Sequence, residues 1–257
     1  MRVSFLFRNK TMLLLMLSIP AFLSAAEFDN EYSQGDVISP GIFVTDKEGS
    51  QVSLPTLLQE GDSGINVVFI FGGGDLGSNM PGRLWCQDSY EDTHILRTLH
   101  GKYAGKGVDF IAIASAPVYH SGALGHKQGV FLTDGEDSED YQQANDAFVS
   151  STLAAREVGI LPLDPYFDSR FRLMFNRSPD LVPREAYGEV FSWQGAFRNP
   201  QETQFYGVPS FWILDDDGKI IAKPFRGNIY YPHGADVNIS YTFSDVDAVL
   251  TSLLGAE

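Results

Sequence analysis

Two short, almost wholly apolar runs, residues 66–71 and 108–114, enclose a segment with helical periodicity. The first run is rich in β-branched and aromatic residues, which is typical of a strand buried on both faces of a sheet. Between the runs, apolar side chains recur three and four residues apart, and the glycines at 105 and 107 end the pattern. Residues 66–114 therefore predict a strand, a helix and a second strand in succession.

Weaker patterns extend this unit in both directions. Hydrophobic periodicity and turn residues predict a hairpin over 41–54, a short helix over 55–59, a helix over 140–157, a strand over 160–163, a hairpin with strands at 210–214 and 219–222, and a helix over 243–254. Residues 165–205 show no clear periodicity, so no element is predicted there. The order of elements predicts an α/β sandwich with a central mixed β-sheet flanked by helices.

The first 26 residues have the composition of a secretory signal peptide, with a basic start, an apolar run over 12–23 and small residues at 24–26. The run contains Pro20 and is too short to span a bilayer as a stable helix. We therefore expect export, with cleavage near Ala26 and residues 27–257 as a single domain. No later stretch is apolar and long enough for a membrane span, and no cysteine stands at the cut to carry a lipid anchor.

The chain is acidic, with a formal net charge of -15 at pH 7. The expected leader holds three cations and no anions, so its removal makes the remaining chain more negative. Attraction to phosphate requires a basic surface, so this charge argues against nucleic acid as a partner. It also predicts repulsion from anionic membranes.

Cys86 is the only cysteine of the chain, so it cannot form a disulfide within its own chain. It falls where the predicted helix begins, after a glycine-rich loop over 72–82. A thiol at a helix N-terminus faces unpaired backbone N–H groups and the positive end of the helix dipole, and both favour the thiolate. Thiol pKa values fall from about 8.5 to roughly 3.5–7.5 in such settings. Cys86 is therefore a candidate nucleophile, and the alternative is an inert, buried cysteine.

Three neighbours could modify this thiol. Ser89 is one helical turn further on and could donate a hydrogen bond to the thiolate. Arg83 could add a cation, whereas a carboxylate at Asp88 disfavours a second anion beside it. No histidine spacing near Cys86 supports a metal or haem site, so no metal and no cofactor are predicted.

A second candidate feature is the Val208-Pro209 pair, which stands directly before an apolar strand. A proline at the start of a strand removes no interior ladder bond, and a cis X–Pro bond, where it occurs, is a deliberate feature. A tight turn there would leave the backbone of Val208 available to pair with an extended peptide or ligand. The alternative is an ordinary trans proline that ends a loop.

These motifs and their order resemble the thioredoxin-like superfamily, in its exported thiol-oxidoreductase and alkyl hydroperoxide reductase/thiol-specific antioxidant branch. The matching segments are 35–54 as the opening hairpin, 67–71 as the central strand, 85–89 as the start of the active-site helix, 107–113 as the next strand and 207–220 as the cis-proline and hairpin. Residues 116–205 match only loosely and would form a long insert. The resemblance implies that Cys86 is the attacking nucleophile, that Trp85 packs beside it, and that Pro209 is cis and faces the thiol.

Several departures from the family pattern bear on the chemistry. Ser89 stands where a second, resolving cysteine is usual, which makes the motif CxxS. The loop over 72–82 is longer than usual, and the strand over 67–71 lacks the buried acid that assists proton transfer in thioredoxins. Peroxidase members have Thr or Ser three residues before the cysteine, where this chain has Arg83.

A lone thiolate can attack a disulfide, but an outside thiol must then release the protein. The sequence therefore predicts a monothiol thiol–disulfide oxidoreductase whose partners are protein or small-molecule thiols and disulfides. One alternative is a one-cysteine peroxidase, in which peroxide gives a sulfenic acid that is resolved from outside. The other is a non-catalytic thioredoxin-fold protein that binds a partner through the loop over 72–82 and the segment 165–205.

Overall fold

The computed structural model of the chain describes residues 32–61, 63–74, 84, 87–115, 146–154, 171–176, 193, 197, 208–226 and 241–255. The strands are β1 (Phe43–Thr45), β2 (Gln51–Ser53), β3 (Asn66–Gly72), β4 (Asp109–Ser115), β5 (Phe171–Asn176), β6 (Ser210–Leu214) and β7 (Phe225–Arg226). The helices are α1 (Leu54–Gln59), α2 (Gln87–Tyr103), α3 (146–154) and α4 (Phe243–Leu254). No helix in these stretches has the length and apolarity needed to cross a membrane.

The seven described strands form one mixed sheet in the order β2-β1-β5-β4-β3-β6-β7. β3, β4 and β5 run parallel to one another, and the other pairings are antiparallel. β3 lies between β4 and β6, and every one of its residues is buried. Because α2 connects β3 to β4, the strand–helix–strand prediction for 66–114 is confirmed, as is the mixed-sheet α/β class.

The sheet separates two apolar cores, because side chains along a strand alternate between its two faces. On one face, Phe69 and Phe71 of β3 belong to a core that includes residues of α2, α3 and α4. On the other face, Val68 and Ile70 pack in a core with α1. The described structure therefore has three layers, with helices on both faces of the sheet.

Two aromatic residues from the predicted insert complete the second core. Trp193 and Phe197 are both buried. The ring of Phe197 meets that of Trp212 on β6 edge to face, with 4.7 Å between centroids. The indole N–H of Trp193 donates to the carbonyl oxygen of Phe43 on β1 at 3.0 Å. Part of the segment that matches the family only loosely therefore belongs to the core of the sheet.

The absence of a predicted element within 165–205 is wrong, because residues 171–176 form β5. This strand lies between β1 and β4, at the edge of the parallel part of the sheet. Its apolar residues are interrupted by Arg172 and end at Asn176, so neither strict alternation nor an unbroken apolar run marks it. The apolar pattern of this strand is weak because Arg172 forms an ion pair with Glu60 instead of contributing an apolar side chain to the core.

The predicted hairpin after β6 is present only as a tight return of the chain, not as a second full strand over 219–222. Ile220 makes an isolated bridge with Leu214, and the N–H of Ile221 donates to the carbonyl of Ile213. The strand is short because the backbone of Ile220 is paired with another segment: its N–H donates to Asp36 and its carbonyl accepts from Gly35. The expected leader, the predicted strand over 160–163 and the predicted helix over 140–157 outside 146–154 lie beyond the described residues.

A polar cluster ties α4 to the end of α2. The Asp247 carboxylate accepts hydrogen bonds from Lys102 Nζ and, at 2.7 Å, from Tyr103 Oη. The bond from Lys102 and then that from Tyr103 hold the pKa of Asp247 below its ordinary value. The same contact with Asp247 raises the pKa of Lys102.

Replacing Asp247 by Asn should lower the free energy of unfolding at neutral pH, because the amide lacks the charge that attracts Lys102. The carboxylate contributes above the pKa of an unfolded aspartate, about 3.9, and its contribution is lost as the pH falls through the lower folded value. Denaturant unfolding should therefore separate wild type from Asp247→Asn at neutral pH and bring them together in acid. Asp217→Asn, at an exposed turn, is the control. A difference that persists unchanged in acid would contradict this account.

Candidate functional site

The first turn of α2 is attached to the end of β3 through Ser89. Its Oγ accepts a hydrogen bond from the backbone N–H of Gly72 at 2.9 Å, and Ser89 is fully buried. The helix begins at Gln87, which directly follows Cys86 in the sequence. Because water does not compete for this buried bond, it holds the start of the helix against the end of the strand.

The chain is anchored on both sides of residues 85–86. Leu84 is 2 % exposed and belongs to the core that also contains Phe69 and Phe71. On the other side, Ser89 makes its buried bond to Gly72. Leu84 and Ser89 are thus both fixed in the interior of the fold.

The peptide bond between Val208 and Pro209 is cis, the geometry that the family resemblance implies. β6 begins at the next residue and runs antiparallel to β3, with Ser210 opposite Ile70. Pro209 therefore lies at the same end of β3 as Gly72. The cis bond and the first turn of α2 thus share one end of the sheet.

α3 covers the chain where it leaves β3. A β-carbon on Gly73 would lie 2.7 Å from Ala114 Cβ and 2.9 Å from Thr152 Oγ1, so a side chain does not fit there. Gly74 follows with φ +85°, a left-handed conformation that glycine adopts at low cost. At the start of the glycine-rich loop, Gly73 therefore lies in a narrow gap between β4 and α3 where a side chain does not fit. Composition alone does not reveal this steric requirement.

Three of the six predicted site residues are described, and they lie at this end of the sheet: Ser89, Val208 and Pro209. The other three lie outside the described residues: Arg83, Trp85 and Cys86. The identity of the nucleophile and the donation from Ser89 to it therefore stay predictions. For Ser89 the structure adds a role that sequence reasoning missed, as the acceptor that joins helix to strand.

A second tie at the start of α2 joins it to the chain that enters α4. The hydroxyl of Tyr241 donates to the carboxylate of Asp92, and the Tyr241 ring stacks edge to face on Phe211 of β6. These partners are far apart in sequence, so no local pattern could have revealed the contact. The start of α2 is thus fixed from the strand side and from the α4 side.

This arrangement can stabilise an anion at the start of α2. The first backbone N–H groups of a helix have no intrahelical partner, and the helix dipole is positive at that end. The sequence predicts that the anion is the thiolate of Cys86, which directly precedes the helix. Among the residues that the structure describes, no group of three or more His, Cys, Asp or Glu side chains is arranged to hold a metal ion.

No protein-family model matches the chain, and no curated protein matches it. Solved structures are similar in fold. An uncharacterized conserved protein from Geobacillus kaustophilus has 18% identity and a TM-score of 0.45, over 89% of this chain and 85% of that one. The peroxidoxin BcpB of Mycobacterium tuberculosis has 12% identity and a TM-score of 0.42, over 88% and 98%. A thiol:disulfide interchange protein of the thioredoxin family from Chlorobium tepidum TLS has 12% and 0.41, over 85% and 96%.

At these identities and TM-scores the likeness does not assign a family or an activity to the chain. The chain has a thioredoxin-like α/β fold by its own topology: a mixed sheet, a β3–α2–β4 crossover at its centre, and a cis X–Pro bond before the antiparallel strand β6. These features occupy the places that the sequence resemblance implies.

Replacing Gly73 by Ala should destabilise the protein, because its β-carbon would collide with Ala114 Cβ and Thr152 Oγ1. Overpacking of this kind costs about 1–3 kcal/mol. The matched control is Gly101→Ala on α2, where a β-carbon meets nothing within 4 Å. That change should stabilise the helix by up to about 1 kcal/mol. Denaturant unfolding measures both, and equal effects of the two changes would contradict the steric role of Gly73.

Replacing Ser89 by Ala should cost about 1–3 kcal/mol, because the buried N–H of Gly72 loses its acceptor. The control is Ser150→Ala at an exposed position of α3, which should change stability by less than about 0.5 kcal/mol. Hydrogen exchange at the Gly72 amide provides a local readout, and it should accelerate in Ser89→Ala more than the global loss of stability explains. Unchanged exchange at Gly72 would show that Ser89 is not its acceptor in solution.

Proposed function

We propose that this chain is an exported monothiol thiol–disulfide oxidoreductase, with Cys86 as its nucleophile and an external thiol as its resolving partner. One observation supports the site above all others. The first turn of α2, which directly follows Cys86 in sequence, and the cis Val208-Pro209 bond lie at the same end of β3. Export is proposed from the leader-like residues 1–26.

The start of α2 supplies the activation that a lone thiol needs. Its unpaired backbone N–H groups and the helix dipole favour a negative charge, and a thiolate rather than a thiol attacks disulfides. Ser89 receives a hydrogen bond from Gly72 through its oxygen, and its hydroxyl hydrogen is the donor that we assign to the thiolate. Asp88 opposes this activation by its charge, so we expect a moderate lowering of the thiol pKa.

The reaction runs in two exchanges. The Cys86 thiolate attacks one sulfur of a substrate disulfide, forms a mixed disulfide with that sulfur and releases the other as a thiolate. An external thiolate then attacks the substrate sulfur of the mixed disulfide and restores the Cys86 thiolate. The net result is exchange between a disulfide and a thiol, without net oxidation of the protein.

The neighbouring residues have roles in binding and positioning. Val208 would offer its backbone groups to an extended substrate beside the thiolate, since the cis bond ends the pairing of β6 with β3 at that point. Trp85 would pack beside the sulfur, and Arg83 would attract an anionic group of the substrate. Because Ser89 occupies the place of a resolving cysteine, the mixed disulfide should persist until an outside thiol arrives.

The rate of Cys86 alkylation as a function of pH tests this proposal. In the folded protein the rate should rise with a midpoint well below about 8.5, the value of an unperturbed thiol. Cys86→Ser should abolish both alkylation and exchange with a model disulfide. An unreactive thiol in the folded protein would reject the enzyme and favour a non-catalytic binding protein.

Ser89→Cys tests the assignment of an external resolving thiol. With a second thiol one turn along the helix, the mixed disulfide with a model substrate should be released within the chain and should not accumulate. Mass spectrometry of samples quenched in acid measures the mixed disulfide in both proteins. Equal accumulation in wild type and Ser89→Cys would show that position 89 cannot reach the sulfur of Cys86.

A further inference from the structure

One tyrosine joins the two halves of the candidate site, which are the start of α2 and the strand β6 that follows the cis bond. Tyr241 is 6 % exposed, and its side chain lies in the core that α2 and α4 cover. It has no part in the exchange chemistry proposed above. Its ring contacts one half of the site and its hydroxyl contacts the other, so the two contacts can be tested separately.

The ring of Tyr241 packs on the strands that follow the cis bond. It meets Phe211 of β6 edge to face, with 5.7 Å between centroids, and Phe225 of β7 at 5.8 Å. Phe211 and Phe225 are partners in the antiparallel register, and Phe211 stands two residues after Pro209. Phe211 is also stacked on Phe69 of β3, with 4.4 Å between centroids. The ring of Tyr241 is therefore fixed relative to the start of β6.

The hydroxyl of Tyr241 reaches the helix side of the site. It donates a hydrogen bond to the carboxylate of Asp92, which lies three residues after Ser89 on α2. Ser89 is in turn held against the end of β3 by its buried bond to Gly72. A hydrogen bond to a carboxylate is stronger than one between neutral groups, so the bond from Tyr241 resists movement of α2 away from β6.

The backbone of Tyr241 is held by the helix that it precedes. Thr242 is the N-cap of α4, and its backbone N–H and its hydroxyl both donate to the Asp245 carboxylate, at 2.6 and 2.7 Å. Val246 and Leu250 bury the apolar face of α4 in the core. Tyr241 therefore stands on a rigid support, from which its side chain couples the position of α2 to that of β6.

We propose that Tyr241 is a positioning residue for the exchange reaction, and that it sets the separation between the thiol before α2 and the cis-proline end of β6. This inference rests on the proposed function. In that function a disulfide substrate contacts both halves at once, because its sulfur is attacked by the thiolate of Cys86 while its chain lies along Val208. A small alkylating reagent contacts only the thiol. Loss of the Tyr241 hydroxyl should therefore slow disulfide exchange and leave alkylation unchanged.

Tyr241→Phe tests this assignment, because it removes the hydroxyl and keeps the ring in its aromatic contacts. Exchange with a peptide disulfide should slow about tenfold or more, since a small loss of alignment can cost about 10²-fold in rate. The rate of Cys86 alkylation and its pH midpoint should keep their wild-type values. An unchanged rate of disulfide exchange would overturn the proposal. A shifted alkylation midpoint would also overturn it, because Tyr241 would then act on the charge of the thiol.

The matched control is Tyr103→Phe, at the opposite end of the same helix. Tyr103 is the last residue of α2, is buried like Tyr241, and donates to Asp247 at 2.7 Å. Each change removes a tyrosine hydroxyl that donates to an aspartate, so both should lower the unfolding midpoint. Only Tyr241→Phe should slow disulfide exchange. An equal loss of exchange in both variants would show that lowered stability is the cause and would overturn the positioning role.

Changes at Asp92 separate the hydrogen bond from the charge. Asp92→Asn keeps an oxygen that accepts from Tyr241, so it should exchange disulfides at the wild-type rate, whereas Asp92→Ala should be as slow as Tyr241→Phe. The double variant Tyr241→Phe/Asp92→Ala should be no slower than either single variant, because all three remove the same bond. Additive losses, or an Asp92→Asn variant as slow as Asp92→Ala, would overturn the proposal.

Amide hydrogen exchange distinguishes failure of this inference from failure of the proposed function. In Tyr241→Phe, the amide hydrogens of residues 91–94 on α2 and 210–212 on β6 should exchange faster than the global loss of stability explains. In Tyr103→Phe they should not. Unchanged amide exchange at both places in Tyr241→Phe would overturn the inference, whatever the activity of the protein. Faster amide exchange there, in a chain whose wild type does not react with disulfides, would reject the exchange reaction and leave Tyr241 as the residue that holds α2 to β6.

Discussion

β3 has no side that faces solvent, and the positions of the elements around it follow from that burial. Its residues alternate between two apolar cores, while its backbone is paired on one edge with β4 and on the other with β6. A strand held on both edges and both faces cannot shift its register without breaking its pairing with both neighbours and exchanging the side chains that fill the two cores. Its carboxyl end is therefore a fixed point, and Gly72 at that point positions Ser89 through a single buried hydrogen bond.

The elements that could be predicted from the sequence are those in which the pattern of neighbouring apolar residues shows which side chains are buried. The run over 66–71 is apolar on both faces, and the helix over 243–254 has one apolar stripe, so each pattern identifies its element without knowledge of the rest of the chain. The cis bond at Val208-Pro209 was implied by the family resemblance. Three of the six predicted site residues are described: Ser89, Val208 and Pro209. They lie together at the carboxyl end of β3.

The elements that could not be predicted depend on partners far along the chain. β5 carries Arg172, whose ion pair with Glu60 of α1 replaces apolar contact and interrupts the pattern of the strand. The segment after β6 divides its backbone hydrogen bonds between β6 and residues 35–38, so it makes only an isolated bridge where a strand is predicted. The need for glycine at position 73 arises from its contacts with β4 and α3. None of these partners can be recognised from neighbouring residues, since each is brought close only by folding.

The aromatic contacts of Trp193 and Phe197 bear on how the long segment between β5 and β6 should be regarded. Phe197 covers Trp212, a fully buried residue in the middle of β6, and the indole of Trp193 caps a carbonyl of β1. A chain trimmed of this segment would leave a broad tryptophan surface on the sheet open to solvent, and such a surface promotes self-association. Removal of the segment should therefore make the protein prone to associate with itself, because Phe197 would no longer shield Trp212.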